Sequence, residues 1–508
     1  MIQVRKMDRR ILKKREAEIR ERLANEHEVR PSPMLSATNV AYEVSDRVEA
    51  TSWGGVAAMH QLARTVGLVE ALDEKVHVLK IHKPYHESDH VLNIALNILA
   101  GGTCLEDLEL RRQDPSYMNG LGAERIPDPT TAGDFTRRFT DEAAVLNLME
   151  AINAVRPGIW EKLPAKERRK AIIDTDGTVA PTSGERKEGM GLSYDGIWGY
   201  HPLVVSLANT REALYLVNRP GNAVSHDGAA AYMDRAIELV RQSFKEVWLR
   251  GGTDFSLTGH FDRWSSENVN FVFGYDAKKN LVGIAEGLEE RAWKPLVRRN
   301  KHTCNGKRRE RRANVKERIV KEKGYKNIRL KSEQVAEFSY RPGKCERDYR
   351  MVVVRKNLSV EKGEDVLFDD IRYFFYITND TKMTARQVVR FINGRCDHEN
   401  DIEQLKNGIN ALRMPSGDLH SNGAYMVMAA LAWNLKAWFG ILMPDKKMGT
   451  QVVRMEFPRF LSGFMTLPAQ VLHQARQIKL RLLAWTPYVE AFLEMCTWIR
   501  SQRFAYRL

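Results

Sequence analysis

Two aspartates, Asp174 and Asp176, sit two apart in the short apolar run AIIDTDGTV (171–179). Side chains alternate across an extended strand, so both carboxylates share one face. Paired acids at the end of a buried strand are costly unless they are solvated, used as turn caps or neutralised by a cation. Capping the Gly177-Thr178 turn would account for one of them. A third acid, Asp254, follows a second apolar run, EVWLR (246–250), across Gly251 and Gly252. The ends of adjacent parallel strands in an open α/β sheet share one crevice, where ligands bind. A fourth acid, Glu399, lies in FINGRCDHENDIEQLKNGI (391–409). At 100° per residue Arg395, Glu399 and Lys406 fall within a stripe about 40° wide. Ile402, Leu405 and Ile409 flank that stripe, which puts Glu399 at the edge of a core. As a plain surface pair, Arg395 and Glu399 would contribute only about 0.2–0.5 kcal/mol. Taken together, the acids suit hard cations. Two Mg²⁺ ions, with Mn²⁺ as a substitute, could clamp the attacking and leaving oxygens of a phosphodiester. Arg395 and Lys406 could hold phosphates.

The elements that must position these groups are legible in outline. Residues 1–30 read as a charged helix or arm, and 54–150 as a series of helices. Asp128 and the Thr140-Asp-Glu string mark helix starts within that series. Basic residues there (Arg111, Arg112, Arg137, Arg138) suit a helical DNA reader or ordinary helical packing. From 170 the texture changes. Strands are predicted at 171–179, 202–208 and 213–218, a helix at 226–244, a strand at 246–250, a helix at 258–267 and a strand at 269–276. A basic, partly β insertion follows, with β-like runs at 335–340 and 351–355. A last strand is predicted at 373–379. Thr381 or Thr384 would cap a long helix running to about 412, and further helices are expected to fill the C-terminus. Three strands followed by alternating helix and strand is the order of an RNase H-like α/β fold with a mixed sheet. A doubly wound dinucleotide domain would alternate from the start and carry a glycine fingerprint, which is absent here.

The chain has 508 residues, with 43% hydrophobic and 28% charged, so a large core is expected. The net charge of +14 is concentrated: residues 291–331 hold 17 Lys and Arg against 3 Asp and Glu. A neutral body with one basic arm suggests a polyanion partner, with Arg308, Arg309, Arg311 and Arg312 as phosphate contacts. Five dispersed cysteines without a CxxC pair argue against a disulfide scaffold or zinc ribbon. The charged N-terminus is unlike a signal peptide. The apolar run 424–443 contains Asn434 and Lys436, which favours a buried helix over a membrane span.

These motifs resemble those of bacterial DDE insertion-sequence transposases, in the insertion-sequence thirteen-eighty family. Arg395, Glu399 and Lys406 match the Y-x2-R-x3-E-x6-K signature, with Ile392 at the Tyr position. The similarity extends through HKPYHESDHVLNIALNILAGGTCLEDLELRR, DPTTAGDFTRRF, IIDTDGTVAPTSGERKEGM, GYHPLVVSLA, LRGGTDFSLTGHFDRW, IRYFFYITND and RCDHENDIEQLKNG. The resemblance implies an RNase H-like nuclease core that binds terminal inverted repeats, with Mg²⁺-dependent excision and strand transfer. It assigns the first catalytic acid to Asp176, with Asp174 as same-face alternative ligand, and the last to Glu399. Where the family reads Arg-Gly-Asp-Thr-Asp-Phe, this chain has Gly252, so Asp254 takes the second acid's place, the copy is impaired, or the substitution was deliberate. The expected partners are double-stranded DNA (element ends and target) and a second copy of the chain in the DNA complex, with no membrane. The expected location is the bacterial cytoplasm, at the nucleoid. The expected organisation is an arm (1–50), a helical DNA-binding region (51–165), a core (166–290), a basic insertion (291–370), core completion with the Glu399 helix (371–415) and a helical C-terminal region (416–508). The competing functions are a DNA-binding protein that has lost cleavage, favoured by Gly252, and an RNA-cleaving or RNA-binding RNase H relative.

Overall fold

The computed structural model describes residues 5–24, 37, 40–44, 47–297, 315–362, 365–474 and 477–502. Its centre is a mixed sheet built on five strands: β1 (Lys170–Gly177), β2 (Leu203–Leu207), β3 (Glu212–Val217), β4 (Glu246–Gly251) and β5 (Val269–Tyr275). They lie side by side as β3-β2-β1-β4-β5. β1 pairs antiparallel with β2 and parallel with β4, and β4 is parallel with β5. The apolar runs at 171–179, 202–208, 213–218, 246–250 and 269–276 thus form strands in the expected order. Short runs of buried Val, Ile and Leu bounded by turn residues are what a doubly covered strand requires.

The basic insertion extends this sheet. β6 (Lys326–Tyr340), β7 (Tyr349–Lys362) and β8 (Asp365–Thr378) form an antiparallel ribbon, joined to β5 through Phe375–Thr378 of β8. The β-like runs at 335–340 and 351–355 are therefore pieces of strands 14 to 15 residues long. The expected boundary at 370/371 falls inside β8, a single continuous strand. Arg308, Arg309, Arg311 and Arg312 lie outside the described residues.

One face of the sheet packs on the helix Ala229–Arg241 and the other on Ala385–Ile392. The N-terminal helices, from Val56–Thr65 to Arg156–Trp160, pack around the long helix Leu419–Leu442. The periodic stretch 60–72 is two helices, parted at Gly67 in the left-handed region (φ 82°). Leu419–Leu442 is long and apolar enough to cross a membrane, yet its apolar window is wholly buried inside the protein. Two of its polar residues, Asn434 and Lys436, serve packing. Asn434 exchanges two hydrogen bonds with Ala213 of the edge strand β3, at 3.0 and 3.1 Å, and so covers that edge. The Lys436 ammonium lies over the Trp433 ring and donates to the Val453 carbonyl.

The helical reading of the C-terminus needs correction. Ala469–Gln474 and Gln477–Leu482 form a β-hairpin that adds Ala50–Thr51 as a third strand. A buried ion cluster ties the lobes together. The Glu212 carboxylate accepts from Arg156, from the Trp160 and Trp438 indoles at 2.7 and 2.6 Å, and from Thr210. With these donors the buried charge is satisfied.

Candidate active site

The face of β1 that carries Lys170, Asp174 and Asp176 is covered by the segment after β8. Thr384 caps the helix Ala385–Ile392 through the Gln387 N–H, in a capping box. The expected single helix to about 412 is instead three pieces. The first ends at Ile392, Arg395–Glu403 is the second, and Gln404–Gly408 is a π-turn. Arg250 crosses the chain at the break. A Cβ on Gly394 would lie 2.1 Å from Nη1 of Arg250, which donates to the Phe391 carbonyl at 2.9 Å. Only glycine lets that guanidinium pass.

Asp174 and Asp176 share a face, as alternation requires, but their environments differ. Asp174 is 1% exposed and makes a bidentate pair with Arg250, at 2.5 and 2.6 Å. The two residues are direct neighbours in the parallel β1–β4 register. Asp174, proposed from sequence as a metal ligand, is therefore a neutralised core acid. Asp176 stands at the strand end and is partly exposed. Burial pushes its carboxyl up to about 6, against the opposing pull of the Arg395 guanidinium and the Gly177 N–H.

Arg395 joins the two outer acids. Its Nη1 lies 2.8 Å from Oδ2 of Asp176 and its Nη2 2.9 Å from Oε1 of Glu399. Glu399 is half exposed. The neighbouring residue, His398, seats this helix on the sheet, with its Nδ1 2.7 Å from the Ser206 hydroxyl. Burial pushes that imidazole down to about 4, so it is neutral at pH 7. Lys406, on the π-turn, has its ammonium pKa lowered by burial and forms no ion pair with Asp176 or Glu399 among the described residues. The π-turn disturbs the α-helical phase that placed it on the stripe.

Gly252 lies just past the end of β4 with φ −69° and ψ −171°, extended backbone that any residue adopts. A Cβ there would meet only Arg395, at 3.5 Å from Nη1 and 3.9 Å from Cζ. Asp254 is exposed in the 3-10 turn Thr253–Phe255, and no hydrogen bond or ion pair joins it to the Asp176–Arg395–Glu399 chain among the described residues. Sequence reasoning missed Arg250 as the partner of Asp174 and Arg395 as the bridge between strand and helix. Arg250 directly precedes the Gly-Gly string, which was the available signal.

The donor set can be tested against a divalent ion. Two carboxylates already share one cationic group, and the position where a third would stand is open space beside it. Among the described residues no three His, Cys, Asp or Glu side chains converge as a ready cage. The oxygen donors fit a hard cation, one ligand short.

No curated protein matches the chain. Among solved structures, the piggyBac transposase synaptic complex with hairpin DNA aligns over 82% of this chain and 84% of that one, at 9% identity and TM-score 0.35. The model of the family "Transposase DDE domain group 1" matches residues 38–504, nearly the whole length. The chain therefore belongs to the DDE transposase domain family, whose activity is metal-dependent DNA transposition.

Proposed function

We propose that this chain is an insertion-sequence transposase of the thirteen-eighty type, which binds terminal inverted repeats and carries out Mg²⁺-dependent cleavage and strand transfer. The observation that carries the reading is the pair Asp176 and Glu399, bridged by Arg395 at 2.8 and 2.9 Å at the carboxyl end of β1. The strand order β3-β2-β1-β4-β5, antiparallel only at β2, supports an RNase H-like core.

In this reading Asp176 and Glu399 hold the divalent cation, and Asp254 is the provisional third acid. The ion supplies Lewis acidity and charge neutralisation at the phosphoryl oxygens. Arg395 exchanges its carboxylate partners for a DNA phosphate, and Lys406 holds a second phosphate. A water attacks the phosphodiester first, and the freed 3′-OH then attacks target DNA. No covalent enzyme intermediate is required, so catalysis rests on positioning and electrostatics. The 51–165 helices and the arm around Arg308, Arg309, Arg311 and Arg312 bind duplex DNA, and two copies of the chain join in the complex. Its place of action is the bacterial nucleoid.

Gly252 favours a second reading, a transposase-derived DNA-binding protein with impaired cleavage. A nicking assay on end-bearing duplex, with Mg²⁺ and with chelator, separates the two. Metal-dependent nicks support the transposase, and tight binding without nicks supports the impaired form. Stronger binding to RNA of equal length would overturn both.

A further inference from the structure

We propose that the hairpin carrying Tyr194 and Trp198 is a stacking platform for unpaired nucleobases of a DNA strand at the acid site. The proposal rests on the DNA-processing reading above. The hairpin belongs to a small sheet, Ala180–Pro181, Trp198–Tyr200 and Gly191–Leu192, inserted between β1 and β2. It therefore stands at the end of β1 that bears Asp176. Tyr194 is 83% exposed and Trp198 56%, with Leu192 and Ile197 also exposed. Isolated exposed apolar residues are ordinary, but four within seven residues form a patch.

The platform is rigid. A Cβ on Gly199 would lie 2.2 Å from the Ala180 carbonyl oxygen, and one on Gly221 2.1 Å from that of Gly199. Backbones this close hold the base of the hairpin, and the Tyr200 hydroxyl anchors it by donating to the Glu188 carbonyl at 2.8 Å. At its tip, the Tyr194 ring lies 6.4 Å from that of His201. His201 in turn lies beside Gly177, the residue after Asp176: a Cβ on Gly177 would fall 2.8 Å from its Nε2. A hydrogen bond and the charge of Asp195 raise the Tyr194 phenol above its ordinary value, with burial and then the charges of Asp254 and Asp176 adding less.

Trp198 borders a cleft of about 610 Å³ whose charged lining side chains, among the described residues, are Lys187 and Arg413. Lys187 is fixed there by donating to the Met414 carbonyl. An exposed indole beside two cations, on a hairpin that follows directly from the end of β1, matches a strand whose bases stack while its phosphates meet the cations. Paired bases keep their faces inside the duplex, so the occupant is an unpaired segment.

The test uses the full chain and fluorescence anisotropy at fixed salt. The probes are a duplex with a four-thymine 3′ overhang and the same duplex blunt. The overhang should bind more tightly. The double variant Tyr194→Ala/Trp198→Ala should lose about tenfold on the overhang, equal to about 1.4 kcal/mol and within the range of one stacked base. Its affinity for the blunt duplex and its melting temperature should be unchanged. Tyr194→Phe/Trp198→Phe keeps the rings and should retain the preference. A 2-aminopurine in the overhang should be quenched by the wild type and released in the alanine variant. Equal losses on both probes, or none, overturn the platform while leaving the DNA reading intact. Failure to bind either probe overturns both.

Discussion

Replacing Gly252 by aspartate should turn a two-carboxylate site into a three-carboxylate one without disturbing the fold. The backbone at 252 is extended and needs no glycine. A Cβ meets only the mobile end of Arg395, at 3.5 Å. The residue also precedes the Thr253–Phe255 turn, where an aspartate caps well. The lost unfolded-state freedom alone should stabilise the chain by about 0.4–1 kcal/mol. For binding, unit charges 4 Å apart interact by about 4 kcal/mol at an effective dielectric of 20, and about 1 kcal/mol in water. A divalent ion doubles that range. Even the low end, about 2 kcal/mol, is roughly a thirtyfold gain in affinity, which competition with Arg395 reduces. Mn²⁺ titration followed by electron paramagnetic resonance should therefore show at least tenfold tighter binding in Gly252→Asp. The same variant should cleave end-bearing DNA where the unmodified chain binds it and cleaves poorly. Unchanged Mn²⁺ affinity would refute the reasoning. Robust cleavage by the unmodified chain that vanishes in Asp254→Asn would make Asp254 the second acid.

Four further outcomes are expected. Glu399→Gln should lower strand cleavage by orders of magnitude while end binding survives, whereas Glu403→Gln, at an exposed residue that accepts from Asn407, should cleave normally; the reverse pattern would shift the motif's register. Replacing Arg308, Arg309, Arg311 and Arg312 together should flatten the salt dependence of binding, which for about six phosphates has a slope of about −5 in log K against log[salt]; an unchanged slope would reduce the arm to a solvated surface. Glu212→Gln leaves the Arg156 charge buried without its counter-ion and should cost about 3–5 kcal/mol in urea unfolding, and a loss below about 1 kcal/mol would contradict the cluster's role. His90 is buried against Phe135, and burial pushes its imidazole down to about 4 from 6.5. The unfolded chain therefore takes the proton first, so His90's contribution is complete above pH 6.5 and falls by about 3 kcal/mol as pH drops to about 4. His90→Leu should lose that part of the slope in pH-dependent melting, and an undiminished slope would place the titration elsewhere.

The sequence by itself determined whatever depends on one element at a time. Strand alternation put Asp174 and Asp176 on one face, and short apolar runs gave β1 to β5 in order. A cap at Thr381 or Thr384 announced the helix that covers them, and the structure places it at Thr384. Asn434 with Lys436 marked Leu419–Leu442 as a core helix. Each of these signals is carried by neighbours along the chain, so periodicity and capping chemistry suffice.

Which cation each acid meets follows from contacts between distant segments. Asp174 and Asp176 look alike in sequence, but the parallel register sets Arg250 beside Asp174 and leaves Asp176 to Arg395. The same guanidinium of Arg250 leaves no room for a side chain at 394, where the segment that helical phase had drawn as continuous is divided into two helices. The π-turn then takes Lys406 out of the stripe's phase. The ribbon β6–β8 was hidden because strands that project from a sheet carry charged and polar residues between their apolar ones, which blurs the period of two. The C-terminal hairpin was hidden likewise, because its pairing with Ala50–Thr51 joins residues more than 400 positions apart. Contacts between distant segments are fixed by packing and register, and no local pattern encodes them.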